Sequence, residues 1–357
     1  MNKRKIKKAI KRIAYLPLNK KFPSYIANKS RHFYYKITKS LKVAYPSTIM
    51  LELTNHCNLA CTICPREYDY GKNMDKGMMD LEEAKRIIDE IYPYLDSIGL
   101  TGMGETFLYN KLPDVVDYIK KRNKGIIISI STNAVIPNFI DKAKKVIDKI
   151  DTIQISIDGL NDTYNSIRIN SNFKILDTNI RQLSKLCKST STVLMLNMVV
   201  TKENYMDMAK LVEYAEEVGV DYLDFTLLNL ASVTDIPSSY YEFYHSKEFL
   251  KELSALDNAI VETPTVSVTN RNFETDNGFR KCPFPWTHFY ISQDGYLPPC
   301  CAKPFPKEKK FGSIKEEKLI NILNNESYIQ WRKLWIENKT PKFCQKCHYV
   351  DLAPVKQ

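Results

Sequence analysis

The chain contains no run of about eighteen apolar residues, the length a bilayer-spanning helix requires, so no helical membrane span is predicted. Glycine is scarce, with 11 in 357 residues, which removes collagenous and glycine-linker architectures. Residues 1–42 hold no Asp or Glu at all, against 14 Lys or Arg. The remainder has 38 basic and 41 acidic residues, so the net charge of +11 belongs to the amino-terminal arm. A nearly neutral body argues against a broad nucleic-acid-binding surface. The arm also lacks the continuous apolar segment and small-residue cleavage site of a secretory signal.

What is present suits a globular protein. Hydrophobic residues make up 44% of the chain, enough for a sizeable core. Nine cysteines without a secretory signal read as metal ligands or reactive thiols in a reducing compartment, which predicts a cytoplasmic location. Three regions are expected: a basic helical extension over 1–45, a core over 46–270, and a cysteine-bearing module over 271–357.

In the extension, Ile6, Ala9, Ile10, Ile13 and Ala14 fall at helical spacing with Lys and Arg on the other faces. Such a helix would suit peripheral contact with an anionic membrane or a phosphorylated, lipid-linked substrate. It would equally suit packing on the body with solvated lysines.

From residue 48 onward, short β-branched runs alternate with amphipathic helical stretches. The strand-like runs are "TIMLEL", "SIGLTG", "GIIISIST", "TIQISID", "TVLMLNMVV" and "YLDFTLL". Between the first two, Asp80 and Glu83 suit a helix start, and Leu81, Ala84, Ile87, Ile88 and Ile91 make one apolar face. Six strand–helix units imply parallel strands and a partial (β/α)6, TIM-like barrel of the α/β class, open at the side. Its strand carboxyl ends should carry the chemistry. After residue 270 the pattern changes to a small α+β module. There "FYISQDGYLPP" reads as two short strands about a turn, and "IKEEKLINILNNESYIQWRKLWIEN" as helix.

The segment "CNLACTIC" places Cys57, Cys61 and Cys64 directly after the first expected strand. Three thiolates can hold three corners of a four-iron cluster and leave one iron open to a small molecule. A tetrahedral zinc would need a fourth ligand; His56 is adjacent, but neighbouring side chains diverge.

This segment resembles the signature of the radical S-adenosylmethionine (SAM) superfamily, and the resemblance extends over most of residues 46–270. It implies that the open iron chelates SAM, whose reductive cleavage gives a 5′-deoxyadenosyl radical that abstracts a substrate hydrogen. A reductant such as flavodoxin or ferredoxin is implied as a partner. "TGMGETF" resembles the family's glycine–glutamate motif, with Gly102, Gly104 and Glu105 facing the SAM amino group. By the same resemblance Asn133, Ser156 and Asp158 face SAM, and Arg168 pairs with its carboxylate. Arg168 could instead make a surface ion pair. Asn197 on the fifth strand is a further candidate.

Cys282, Cys300, Cys344 and Cys347 form a second set, with Gly295 inside the first interval. This resembles the SPASM/Twitch module that holds an auxiliary [4Fe-4S] cluster; the small number of cysteines favours the single-cluster Twitch form. Four ligands would close the coordination and make the cluster an electron conduit, though a structural zinc would accept the same four. Cys301, beside Cys300, is either a spare thiol that donates hydrogen to a substrate radical or a small buried hydrophobe. Either of the adjacent pair could be the ligand.

The resemblance to Twitch-containing aminocyclitol dehydrogenases makes oxidation of a sugar, cyclitol or related alcohol the leading expectation. A redox-neutral epimerase or a maturase acting on a peptide is the alternative, and a non-catalytic iron–sulfur or zinc protein a third. No nucleic-acid partner is expected.

Overall fold

In a computed structural model of the chain, the structure describes residues 22–38, 40–233, 235–263, 265–270 and 282–347. The expected helix over residues 6–14 lies outside the described residues.

The framework is an eight-stranded, entirely parallel sheet. Its strands are β1 (Thr48–Leu51), β2 (Ser97–Gly99), β3 (Ile127–Thr132), β4 (Thr152–Ser156), β5 (Val193–Val200), β6 (Tyr222–Leu227), β7 (Ser267–Asn270) and β8 (Phe289–Ile291). The order is β7-β6-β5-β4-β3-β2-β1-β8, an open sheet rather than a closed barrel. β1 to β6 are the six expected strands, in sequence order. β7 and β8 extend the edges.

Helices carry the chain between strands. After α1 (Phe22–Ile37) come α2 (Leu81–Ile91), α3 (Leu112–Arg122), α4 (Phe139–Lys144), α5 (Asn161–Ile167), α6 (Phe173–Ser189), α7 (Met208–Val218) and α8 (Lys247–Glu262). α2 begins where the sequence suggests: the Asp80 carboxylate accepts the Glu82 and Glu83 backbone N–H groups, satisfying donors that a helix start leaves orphaned. Its residues Ala84, Ile87, Ile88 and Ile91 are all fully buried. Each Ile removed from water there contributes about 1.5–3 kcal/mol. The core is continuous from these helices through the sheet into the carboxyl-terminal region, where Leu319, Ile322 and Trp335 join it.

The carboxyl-terminal segment differs from the simplest reading of its sequence. The run "FYI" is a strand, but β8 pairs with β1, in register Ile49↔Phe289 to Leu51↔Ile291. The second run, around Tyr296 and Leu297, pairs with residues 311–314 instead. Local sequence shows the turn, in which Gly295 has φ +87, but does not show the distant partner. The single expected helix is two, α9 (Leu319–Leu323) and α10 (Glu326–Ile336), divided where Asn325 caps α10 through the Tyr328 N–H. Fully buried Arg332 donates to the carbonyls of Pro285, Leu41 and Leu323, fastening α10 to the body.

Candidate active site

The loop after β1 carries the first cysteines, and three neighbouring segments fix its course. The Asn55 side chain brackets the next turn, accepting from Gly77 N–H and donating to the Asp75 carbonyl, each at 2.8 Å. The N–H groups of Ala60 and Thr62 donate to the carbonyls of Ile169 and Ile167, the two neighbours of Arg168. Glu105 N–H donates to the His56 carbonyl at 2.8 Å. The cysteine loop, the Gly-Met-Gly-Glu loop and Arg168 are thereby held together.

Both glycines of the second loop are demanded by close approach. A Cβ on Gly104 would lie 2.5 Å from the backbone oxygens of Thr54 and His56, and one on Gly102 would lie 2.3 Å from Glu52 Cγ. No side chain fits between those segments.

These contacts close a cleft of about 230 Å³ at the carboxyl ends of the strands. It is lined by Cys57, Cys61 and Cys64, by Gly102, Gly104 and Glu105, and by Asn133, Ser156 and Arg168. Two candidates stand apart from the lining. Asp158 is fully buried behind Arg168, taking its Nη2 at 2.5 Å and its Nε at 2.6 Å. Its other oxygen accepts Val199 N–H at 2.8 Å. Asn197 turns its side chain to the Asp224 carbonyl at 3.2 Å. Arg168 is therefore no surface pair. Burial is the largest influence and opposes its charge, but Asp158, together with the nearby Cys61 and Tyr164, outweighs it and holds the pKa above the ordinary guanidinium value.

Glu105 is also committed. One oxygen accepts from Phe107 N–H and the Thr132 hydroxyl, the other from Asn133 N–H at 2.7 Å. Burial nonetheless pushes its carboxyl above the usual range. Asn133 reaches the other way: its side-chain amide donates to Asn58 Oδ1 at 2.9 Å and lies 3.7 Å from Cys57 Sγ. Burial raises all three cleft thiols, Cys61 to about 12, while Arg168 draws each of them down.

The second cysteine set also converges. The Cys344 thiol is pushed above its ordinary value first by burial, then by the nearby Cys300, Cys347 and Cys282. Cys301 lies within electrostatic range of Cys300, Cys347, Cys282 and the Tyr290 phenol, and burial raises it to about 12. It does not line the cleft. A larger cavity, about 470 Å³ between α1 and residues 282–287, includes Cys282 but none of the other candidate ligands.

The family model described as the radical SAM superfamily matches residues 51–215, and that of an iron–sulfur cluster-binding domain, SPASM, matches residues 282–348. The chain belongs to the radical SAM superfamily. Among curated proteins, it is 25% identical over 326 residues to the tungsten-containing aldehyde ferredoxin oxidoreductase cofactor-modifying protein of Pyrococcus furiosus, covering 85% of this chain and 87% of that one. It is 22% identical over 326 residues to the antilisterial bacteriocin subtilosin biosynthesis protein AlbA of Bacillus subtilis, covering 89% and 67%. Among solved structures, Streptococcus suis SuiB bound to precursor peptide SuiA superposes with a TM-score of 0.67, at 17% identity, over 95% of this chain and 76% of that one. BtrN in complex with AdoMet and 2-DOIA superposes less closely, with a TM-score of 0.51 at 16% identity over 82% and 88%.

The radical SAM enzyme thus uses SAM and a [4Fe-4S] cluster, and its SPASM domain an auxiliary iron–sulfur cluster. The donor types present suit these groups, although among the described residues no three His, Cys, Asp or Glu side chains are arranged to hold a single metal ion. Three thiols share one cleft with a buried guanidinium that suits a carboxylate, and four more gather in the carboxyl-terminal region.

Two residues of this arrangement are not legible as functional in the sequence. Fully buried Glu52, at the end of β1, accepts Met103 N–H at 2.7 Å with one oxygen and Gln293 N–H at 3.1 Å with the other. It therefore joins the glycine-rich loop to the segment after β8. Buried Lys303 donates its amine to the Phe343 carbonyl, lies 4.0 Å above the Phe343 ring, and stands among Cys344, Cys347 and Cys300. A Glu inside the first strand-like run and a Lys three positions after a cysteine were the available signals.

Proposed function

We propose that this radical SAM enzyme oxidatively modifies a peptide, or a group carried on one, with its auxiliary cluster as the electron acceptor. One observation carries the redox part of the reading: β8 lies beside β1 and runs parallel to it. The first cysteine loop and the segment after β8 that leads to Cys300 therefore leave the same end of the sheet, the end where the cleft lies, while Cys282 precedes β8. A peptide as substrate is supported by what the subtilosin protein and the SuiA-bound SuiB are named for.

When bound, SAM and its cluster supply the 5′-deoxyadenosyl radical that abstracts a substrate hydrogen, and the auxiliary cluster supplies an acceptor for the second electron. Cys57, Cys61 and Cys64 hold the first cluster; Cys282, Cys300, Cys344 and Cys347 hold the second. Arg168, locked by Asp158, offers a planar pair of donors to a carboxylate and pays no further ordering cost. Glu105 fixes the strand end through the Asn133 N–H and the Thr132 hydroxyl, while Glu52 holds the Gly102–Gly104 loop through the Met103 N–H.

A second reading, oxidation of a sugar, cyclitol or related alcohol, has one feature in its favour. That feature is the overlap of the chain's fold with that of BtrN, which is described in complex with AdoMet and 2-DOIA.

Anaerobic assays with SAM and dithionite separate the two. Short peptides encoded beside the gene and a set of aminocyclitols are offered in turn. The proposal expects 5′-deoxyadenosine formation to rise with a peptide, and the peptide to lose the mass of two hydrogens. Loss of two hydrogens from an aminocyclitol alone would transfer the assignment to the second reading. A peptide product of unchanged mass would replace oxidation by epimerisation.

A further inference from the structure

α1 is amphipathic in the inverse sense for a helix resting on a protein body. Its inner face is polar and bonded. The Asn28 side chain, 1% exposed, accepts Tyr45 N–H and donates to the Tyr45 carbonyl, which also meets His32 Nε2 at 2.7 Å. Tyr25 and Lys29 both bond to Asp96, at 3.0 and 2.7 Å. These bonds fix which side of the helix faces outward.

The outward side is apolar. Ile26, Phe33 and Ile37 follow one another at seven and four residues, which puts them on one stripe, and Tyr34 stands beside it. They are 45%, 68%, 64% and 61% exposed. Large apolar side chains scattered singly need no explanation, but four on one helical face mark a contact surface. Arg31 borders the stripe on one side and Lys36 on the other, and α1 contains no acidic residue.

We infer that this face of α1 is a docking surface for an anionic lipid bilayer. Charge complementarity selects that occupant. The first 42 residues carry 14 Lys or Arg and no Asp or Glu, while the rest of the chain is nearly neutral. An apolar stripe with aromatic residues, flanked by basic ones, lies in a headgroup layer with the apolar side chains inserted and the cations against lipid phosphates. A helix already pinned to the body through Asn28 and Asp96 presents that stripe without further ordering. The inference is independent of the peptide-oxidation reading, since no residue of α1 lines the cleft.

The test uses the full, cluster-loaded chain and sedimentation with vesicles. One set contains phosphatidylglycerol and phosphatidylcholine, the other phosphatidylcholine alone. Binding is expected to the anionic vesicles only and to weaken with added salt. The Phe33→Ser/Ile37→Ser variant should lose about tenfold in partitioning, as expected for removing inserted side chains from an interfacial helix, with SAM cleavage unchanged. In a separate Phe33→Trp variant, an emission shift to the blue on anionic vesicles would place this position in the bilayer. The inference is overturned if the wild-type chain stays in the supernatant, or if the double variant sediments as the wild type does. It is overturned too if the double variant abolishes self-association and vesicles bind neither protein, because the face would then join two copies. Stronger vesicle binding after deletion of residues 2–21 would show that segment to be the occupant.

Discussion

Leu51 and Ile291 are partners in one parallel ladder, although they come from opposite ends of the chain. Each is the last residue of its strand, so the cysteine loops beyond them start side by side. The next residue after Leu51, Glu52, ties this junction to the glycine-rich loop by accepting the N–H groups of Met103, after β2, and Gln293, after β8.

Replacing Glu52 with Ala leaves the part-buried N–H of Met103 and the buried N–H of Gln293 without acceptors. Each such loss costs about 1–3 kcal/mol, so unfolding should shift to clearly lower denaturant. Glu52→Gln keeps only one good acceptor and should fall between. Chemical denaturation of the three proteins checks the order.

Gly104→Ala tests the contact between the cysteine loop and the glycine-rich loop. The added methyl group meets backbone oxygen on two sides, which a rotamer change cannot relieve. We expect a cost of about 1–3 kcal/mol and a larger proportional loss in SAM affinity, measured by equilibrium binding to the reconstituted protein. A variant that binds SAM as the wild type does would show that the loop does not touch the ligand.

Asp158→Asn leaves Arg168 as a buried cation without its counter-charge. Breaking such a pair costs about 3–5 kcal/mol. Asp158→Asn should therefore weaken both folding and SAM binding, whereas Arg168→Met together with Asp158→Asn should recover stability but not SAM affinity. Thermal melts and binding measured in parallel separate the two effects.

The two cysteine sets should fail in different ways. Cys57→Ala, Cys61→Ala or Cys64→Ala should abolish 5′-deoxyadenosine formation. Cys347→Ala should lower the iron content and stop product formation while sparing part of the abortive SAM cleavage. Cys301→Ser should retain full iron content if Cys300 is the ligand, and lose about half, one cluster of two, if Cys301 is.

The periodic parts of this molecule are readable in its sequence. Strands β1 to β6, the Asp80 cap and the spacing of Cys57, Cys61 and Cys64 depend on neighbours close in the chain, and each lies where the pattern implies. β8 is only three residues long and pairs with β1 across the whole fold, so no local period announces it. The roles of Glu52 and Asp158 were hidden for a similar reason. A buried acid is recognised by its donors, here Met103, Gln293 and Arg168, all brought in from other segments. Sequence places Asp158 beside the cleft, whereas the structure puts it one layer behind, where it acts on Arg168.

The most direct test of the account is the metal content of anaerobically reconstituted protein, with iron, sulfide and zinc counted alongside 5′-deoxyadenosine released from SAM after reduction. The account predicts about eight irons per chain, two clusters of four, no zinc, and 5′-deoxyadenosine formed. About four irons with one zinc per chain would contradict it, because the site beside β8 would then hold a redox-silent ion and no electron acceptor.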